Sequence, residues 1–135
     1  MVSMDELLGQ SDVISVHVPS TPATQKLIDA PKFAKMKSNA LFINTSRGEV
    51  VDELALIATL KEKRILGAAL DVRAKEPPVS GELEMMPNVI LVPHIAAFTC
   101  EGQTRVVTSI CRDVAAVLRG EPPKNFVNFA RPRQR

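Results

Sequence analysis

Arg47, Glu76 and His94 lie just past the ends of three separate apolar runs, ALFINTS, GAALDV and VILVP. Keeping an ionisable group beside a buried strand costs desolvation energy. The carboxyl ends of strands in open parallel sheets are also where ligands bind. A fixed cation, a carboxylate and an imidazole at three successive strand ends have the makings of an active site. Arginine stays protonated at physiological pH and offers planar, bidentate donors. Arg47, in NTSRG, therefore suits a clamp on a carboxylate that also polarises an adjacent carbonyl, although a surface ion pair would use the same residue. Histidine titrates near neutrality and is the natural proton donor or acceptor. His94 is one of only two; the other, His17 in SVHVP, sits at a strand end where a structural role is the simpler reading. Glu76, in the loop ahead of His94, can accept the second ring N–H, fix the tautomer and stabilise the imidazolium. Asp71 closes GAALDV and suits either acceptance of an amide hydrogen bond or a loop cap.

The elements that must carry these residues follow from periodicity. Ser3 and Glu6 have capping-box spacing ahead of a short helix in MDELLGQ. DVISVHV, residues 12–18, is β-branched and stops at Pro19, which predicts a strand. Asp29, with Pro31 behind it, predicts a second short helix to about Lys37. ALFINTS, residues 40–46, is a second strand, and Gly48 then turns the chain toward a helix capped by Asp52 and running to about Lys63. Leu54, Ile57, Ala58 and Leu60 are its expected apolar stripe. Residues 65–72 and 89–93 are further strands, separated by the Pro-rich EPPVSGELEMMP. Val106, Val107, Ile110, Cys111, Val114, Val117 and Leu118 recur at helical spacing up to Gly120 and Pro122. In the tail, NFVNF could add a short edge strand. Apolar strands alternating with helices imply an α/β fold, a parallel sheet of about four strands buried on both faces. Right-handed crossovers place all the carboxyl ends on one rim.

Composition narrows the function classes. The chain has five Phe and no Trp or Tyr, which speaks against stacking platforms for nucleic acid. A net charge of +2 is too small to imply a polyanionic partner, and RPRQR is read as a solvated tail. No apolar run is long enough to span a membrane, and no basic-then-apolar leader is visible, so a cytoplasmic protein is expected. Cys100 and Cys111 form neither a metal knuckle nor a disulfide framework and are expected to be small buried or half-buried side chains. No metal site is expected.

INTSRGEVVDELAL, GAALDVRAKEPP and NVILVPHIA, in that order, resemble the signature segments of the D-isomer-specific 2-hydroxyacid dehydrogenases. SDVISVHVPSTPAT and LRGEPPKNFVN are similar as well, so the likeness runs from about Ser3 to Asn128. The resemblance implies a Rossmann-like, NAD-binding domain and hydride transfer between a nicotinamide cofactor and a 2-oxo or 2-hydroxy acid. It implies that Arg47 grips the substrate's carboxylate and oxo group, and that Glu76 and His94 are the acid/base pair. It further implies that Asp71 meets the nicotinamide carboxamide. His17, Val18, Pro19, Thr45 and Ser46 would line the cofactor, with Arg47, His94 and Ala97 adjoining it.

The departures from the family pattern carry their own expectations. The six glycines are scattered singly, and no G-x-G-x-x-G follows a strand. The pyrophosphate-binding turn, the acidic residue that selects NAD over NADP and the substrate-domain wall would all lie before Met1. Residues 1–120 are thus expected to be the second half of a doubly wound dinucleotide-binding domain, and residues 121–135 a tail that in the family returns to the substrate domain. Alone, such a chain is expected to bind NADH weakly and to be inactive. Its partner would be the missing half or a second copy paired through an exposed edge. A non-catalytic interaction module is the alternative. Val92 stands where Thr is frequent, Ala97 where Gly is common, and Arg73 where an aromatic residue is typical.

Overall fold

The computed structural model describes residues 2–126. The chain forms two compact units, Met1–Ile95 and Ala96–Arg135.

In the first unit, α1 (Met4–Gln10) starts where Ser3 Oγ accepts the Glu6 N–H at 3.2 Å, one of the two bonds that define a capping box. β1 (Val13–Val16) follows. α2 (Ala30–Phe33) is capped by Asp29 and carries Pro31 in its first turn; it stops short of the expected Lys37 and gives way to turns. β2 (Leu41–Asn44) leads through a 3₁₀ turn, Gly48–Val50, into α3 (Glu53–Lys61), whose cap is Asp52. β3 (Gly67–Leu70), a second 3₁₀ turn at Leu83–Met85 and β4 (Val89–Leu91) complete the unit.

The four strands are all parallel and stand in sequence order, β1-β2-β3-β4. Two registered rows, Ile14–Phe42–Ala68–Val89 and Val16–Asn44–Leu70–Leu91, face the core. Phe33 of α2 meets Phe42 edge-on at 5.2 Å, and Leu56 and Leu60 of α3 join the same cluster.

Two expectations need correction. The sheet is not buried on both faces: Val13, Leu41 and Ile90 on the opposite side are exposed, Ile90 by 67%. The strand order explains this. Right-handed crossovers between strands laid down in one direction put every connecting helix on the same face. Covering the other face requires a reversal of strand order, which these four strands do not contain. The stripe of α3 is also displaced. Leu54 is 77% exposed and Ala58 is exposed, whereas Leu56, Thr59 and Leu60 are buried. Thr59 reads as polar, yet it occupies a core position.

In the second unit, α4 (Cys100–Leu118) begins where Thr99 Oγ1 accepts the Gly102 N–H at 2.9 Å. It closes at Gly120, whose φ of +79° is the left-handed conformation that ends helices. No residue of α4 is buried. Val106, Val107, Ile110, Val114, Val117 and Leu118 are all exposed, and so are Cys100 and Cys111, contrary to expectation. Asp113 accepts the N–H groups of Lys124 and Asn125 at 2.8 and 3.2 Å. Asn125 and Phe126 are not in a strand; the rest of NFVNF and the RPRQR tail lie outside the described residues. Among the described residues no helix is long and apolar enough to cross a membrane.

Candidate active site

The turn after β2 is built around Asn44, which is 1% exposed. Its Oδ1 accepts the Ser46 N–H at 3.0 Å and the Ser46 hydroxyl at 2.8 Å, and its Nδ2 donates to the Arg47 carbonyl at 3.0 Å. A polar residue at a core-facing strand position must satisfy itself, and Asn44 does so by folding the Thr45–Arg47 turn around its amide. Arg47 then projects as an exposed cation, with Nη1 donating to the Ser46 carbonyl at 2.7 Å. Gly48 follows for a steric reason. A Cβ there would lie 1.9 Å from the Arg73 carbonyl oxygen and 2.5 Å from the Ala74 nitrogen. The backbones of the two turns are in direct contact.

Beyond β3, Asp71 is a junction. Its N–H donates to the Asn44 carbonyl at 2.9 Å, its carbonyl accepts the His94 N–H at 2.9 Å, and its Oδ1 accepts the Ile95 N–H at 2.6 Å. The carboxylate thus caps the turn that carries His94, the loop-cap alternative of the two readings of Asp71. His94 has φ of +54°, which an L residue holds only at a cost of order 1–3 kcal/mol. The bonds to Asp71 hold it there.

Glu76 and His94 come together. Glu76 Oε2 lies 2.7 Å from His94 Nδ1, while its Oε1 accepts the Arg73 N–H at 3.0 Å. A carboxylate can only accept, so Nδ1 carries the hydrogen and Nε2 is the nitrogen left to face a reactant. The His94 hydrogen bond, then the Arg73 N–H, with a smaller pull from the Arg47 charge, hold the Glu76 carboxyl below the usual carboxylate range.

The remaining candidates fall into three groups. His17 Nε2 is 2.8 Å from the Ser15 hydroxyl on the open side of the sheet. Val18 packs against the core, and the Pro19 carbonyl accepts the Thr24 hydroxyl at 2.6 Å. Thr45 is exposed beside Ser46 on the β2 end. Ala97 belongs to the second unit, where its carbonyl accepts Gln103 Nε2 at 3.4 Å. Sequence reasoning missed Asn44, whose one signal is strand alternation, which puts it on the same side as Phe42. It also missed the side-chain partners of Arg73, which only the fold brings together.

The in-order parallel sheet and its charged carboxyl rim define part of a Rossmann-like nucleotide-binding fold. Comparison with known proteins identifies the family. The profile described as D-isomer specific 2-hydroxyacid dehydrogenase, NAD binding domain, matches residues 1–96, and the chain belongs to that family. It is 48% identical over 126 residues to a glyoxylate reductase of Thermofilum pendens, covering 93% of this chain and 37% of that protein. It is 43% identical over 129 residues to a D-3-phosphoglycerate dehydrogenase of Synechocystis, covering 96% of this chain and 23% of that one. Among solved structures, a D-lactate dehydrogenase with NAD+ from Lactobacillus jensenii superposes with a TM-score of 0.86 at 34% identity, covering 95% of this chain and 43% of its own. The chain thus spans well under half the length of these relatives.

Proposed function

We propose that this chain supplies the nicotinamide-side half and the catalytic rim of an NAD(P)-dependent D-2-hydroxyacid dehydrogenase, and that it is inactive without the phosphate-binding half. The observation that carries the reading is the 2.7 Å hydrogen bond between Glu76 and His94 on the rim that also bears Arg47. Arg47 binds the carboxylate of a 2-oxo acid and polarises its oxo group. His94, held in one tautomer by Glu76, delivers a proton from Nε2 to the developing alkoxide, or removes it in the reverse direction. The cofactor supplies or accepts the hydride at the adjacent carbon.

We assign the nicotinamide end of the cofactor to the polar groups of this rim. Thr45 is exposed at the β2 end, and the Asp71 carboxylate already accepts one amide N–H, the kind of bond a carboxamide donates. The pyrophosphate end has no counterpart, since no G-x-G-x-x-G occurs in the 135 residues. Charge-assisted hydrogen bonds contribute about 1.5–3 kcal/mol each, and every 1.4 kcal/mol is tenfold in affinity. NADH binding to this chain alone is therefore weak.

The test joins the chain to the preceding segment of the Thermofilum pendens glyoxylate reductase and follows NADH-dependent reduction of glyoxylate. His94→Ala lowers kcat by about 10²–10⁴-fold; unchanged turnover overturns the acid/base assignment. A tight 1:1 complex of the isolated chain with NADH would overturn the incompleteness. The open sheet face and the exposed stripe of α4 favour a second reading, a non-catalytic module that self-associates. A dimer by light scattering that ignores NADH, with a fusion that does not turn over, would favour it.

A further inference from the structure

Arg73 departs from the family pattern and has no place in the chemistry just described, yet each of its three guanidinium nitrogens donates to a carboxylate. Its Nε and Nη2 meet the two oxygens of Glu53 at 3.1 and 3.2 Å, and Nη1 meets Glu84 Oε1 at 2.5 Å. The side chain is only 11% exposed. Burial opposes its charge, but Glu53 and then Glu84 outweigh that and raise its pKa above the usual arginine value. The same carboxylates hold neighbouring backbone. Glu53 Oε2 accepts the Ala74 N–H at 3.0 Å, and Glu84 Oε2 accepts the Gly81 N–H at 2.8 Å. The N–H of Arg73 itself goes to Glu76 Oε1 at 3.0 Å.

One residue therefore ties three things together: the first turn of α3 through Glu53, the Pro-rich loop through Glu84, and the carboxylate beside His94 through its own backbone. On its other side, its carbonyl abuts Gly48, next to Arg47. A planar fork is needed for this; an aromatic ring at position 73 could fill the space but would leave two carboxylates without their cation.

We infer that Arg73 is a positioning residue: by pairing with Glu53 and Glu84 it fixes the turn from which Glu76 is aimed at His94. The inference rests on the reading of Glu76 and His94 as an acid/base pair, but its geometry can be measured without turnover.

The experiment is a carboxyl-carbon NMR titration of Glu76 in the full 135-residue chain, with circular dichroism as the check on folding. The charged groups facing Glu76 are His94 and, at longer range, Arg47; neither is altered. In Arg73→Met the Glu76 titration moves up toward the ordinary glutamate value, and the His94 ring resonances change with it. Glu53→Gln gives the same direction, and Arg73→Lys, with one point charge in place of a fork, recovers only part of the parent behaviour. Should Arg73→Met fail to fold, Glu53→Gln decides, because it leaves Arg73 bonded to Glu84. A Glu76 titration identical to the parent in a folded Glu53→Gln chain overturns the inference. In the fusion enzyme Arg73→Met lowers kcat by up to about 10²-fold, the scale of a 1 Å misplacement, with KM for glyoxylate unchanged. If His94→Ala left turnover intact while the Glu76 titration still moved, the acid/base reading would fail and the positioning would stand.

Discussion

Gly48→Ala is the most informative single substitution in this chain. The added Cβ would lie 1.9 Å from the Arg73 carbonyl oxygen and 2.0 Å from its carbon, where ordinary contact begins near 3.4 Å. The turns must separate by about 1.5 Å to admit it. Neither side yields readily. Val50 and Val51 are buried behind Gly48, and Arg73 is fixed by Glu53 and Glu84. Overpacking against fixed backbone costs about 1–3 kcal/mol, occasionally more, and this site belongs near the upper end. A loss of about 3 kcal/mol lowers the folded-to-unfolded ratio by roughly 150-fold. The assay is urea denaturation followed by circular dichroism, where the midpoint falls at constant slope. Gly9→Ala is the control: its Cβ would have nothing nearer than 3.7 Å, and Ala in α1 is neutral or stabilising by up to about 1 kcal/mol. A Gly48→Ala chain as stable as the parent would refute the proposed backbone contact.

Three further outcomes are expected. Asn44→Ala leaves the Arg47 carbonyl and the Ser46 N–H without their partner and costs about 2–6 kcal/mol at roughly 1–3 per orphaned group, read from the same denaturation curves. Leu56→Ala costs about 2–5 kcal/mol, whereas Leu54→Ala stays within about 0.5 kcal/mol; equal effects would mean the face of α3 is misassigned. The carboxyls of Asp29, Asp52 and Glu76 are all held below their ordinary values, first by hydrogen bonds from Lys32, Lys26 and His94 respectively. A depressed folded-state value means that stabilisation is complete above the unfolded value and lost as pH falls through the folded one. Thermal melts should therefore stay flat down to about pH 4.5 and fall progressively below it; a melting temperature that rises on acidification would contradict this.

The strand ends were legible because parallel topology leaves little choice: once four apolar runs alternate with helices, Arg47, Asp71 and His94 must share a rim. Capping was legible too, at Ser3, Asp29 and Asp52, because it is decided within four residues. What escaped depends on contacts distant in sequence. The phase of α3 was misread because Leu54 looks apolar and Thr59 looks polar, while the sheet sets which side faces inward. The fork of Arg73 joins residues 20 and 11 positions away, and no local pattern announces it. The left-handed backbone of His94 follows from its tie to Asp71 across the sheet. The open face of the sheet was derivable from crossover handedness and an in-order arrangement, but the order itself is a tertiary fact.

The missing Cβ at Gly48 also governs how the rim opens. With two backbones touching and no side chain between them to act as a spacer, the Arg47 turn and the Arg73–Glu76 turn cannot loosen one at a time. The amides of Val51, Asp71, Arg73 and Ala74 are bonded within this contact or at its border. They should exchange with solvent deuterium as one cooperative group, so that the turns carrying Arg47 and Glu76 open in a single event.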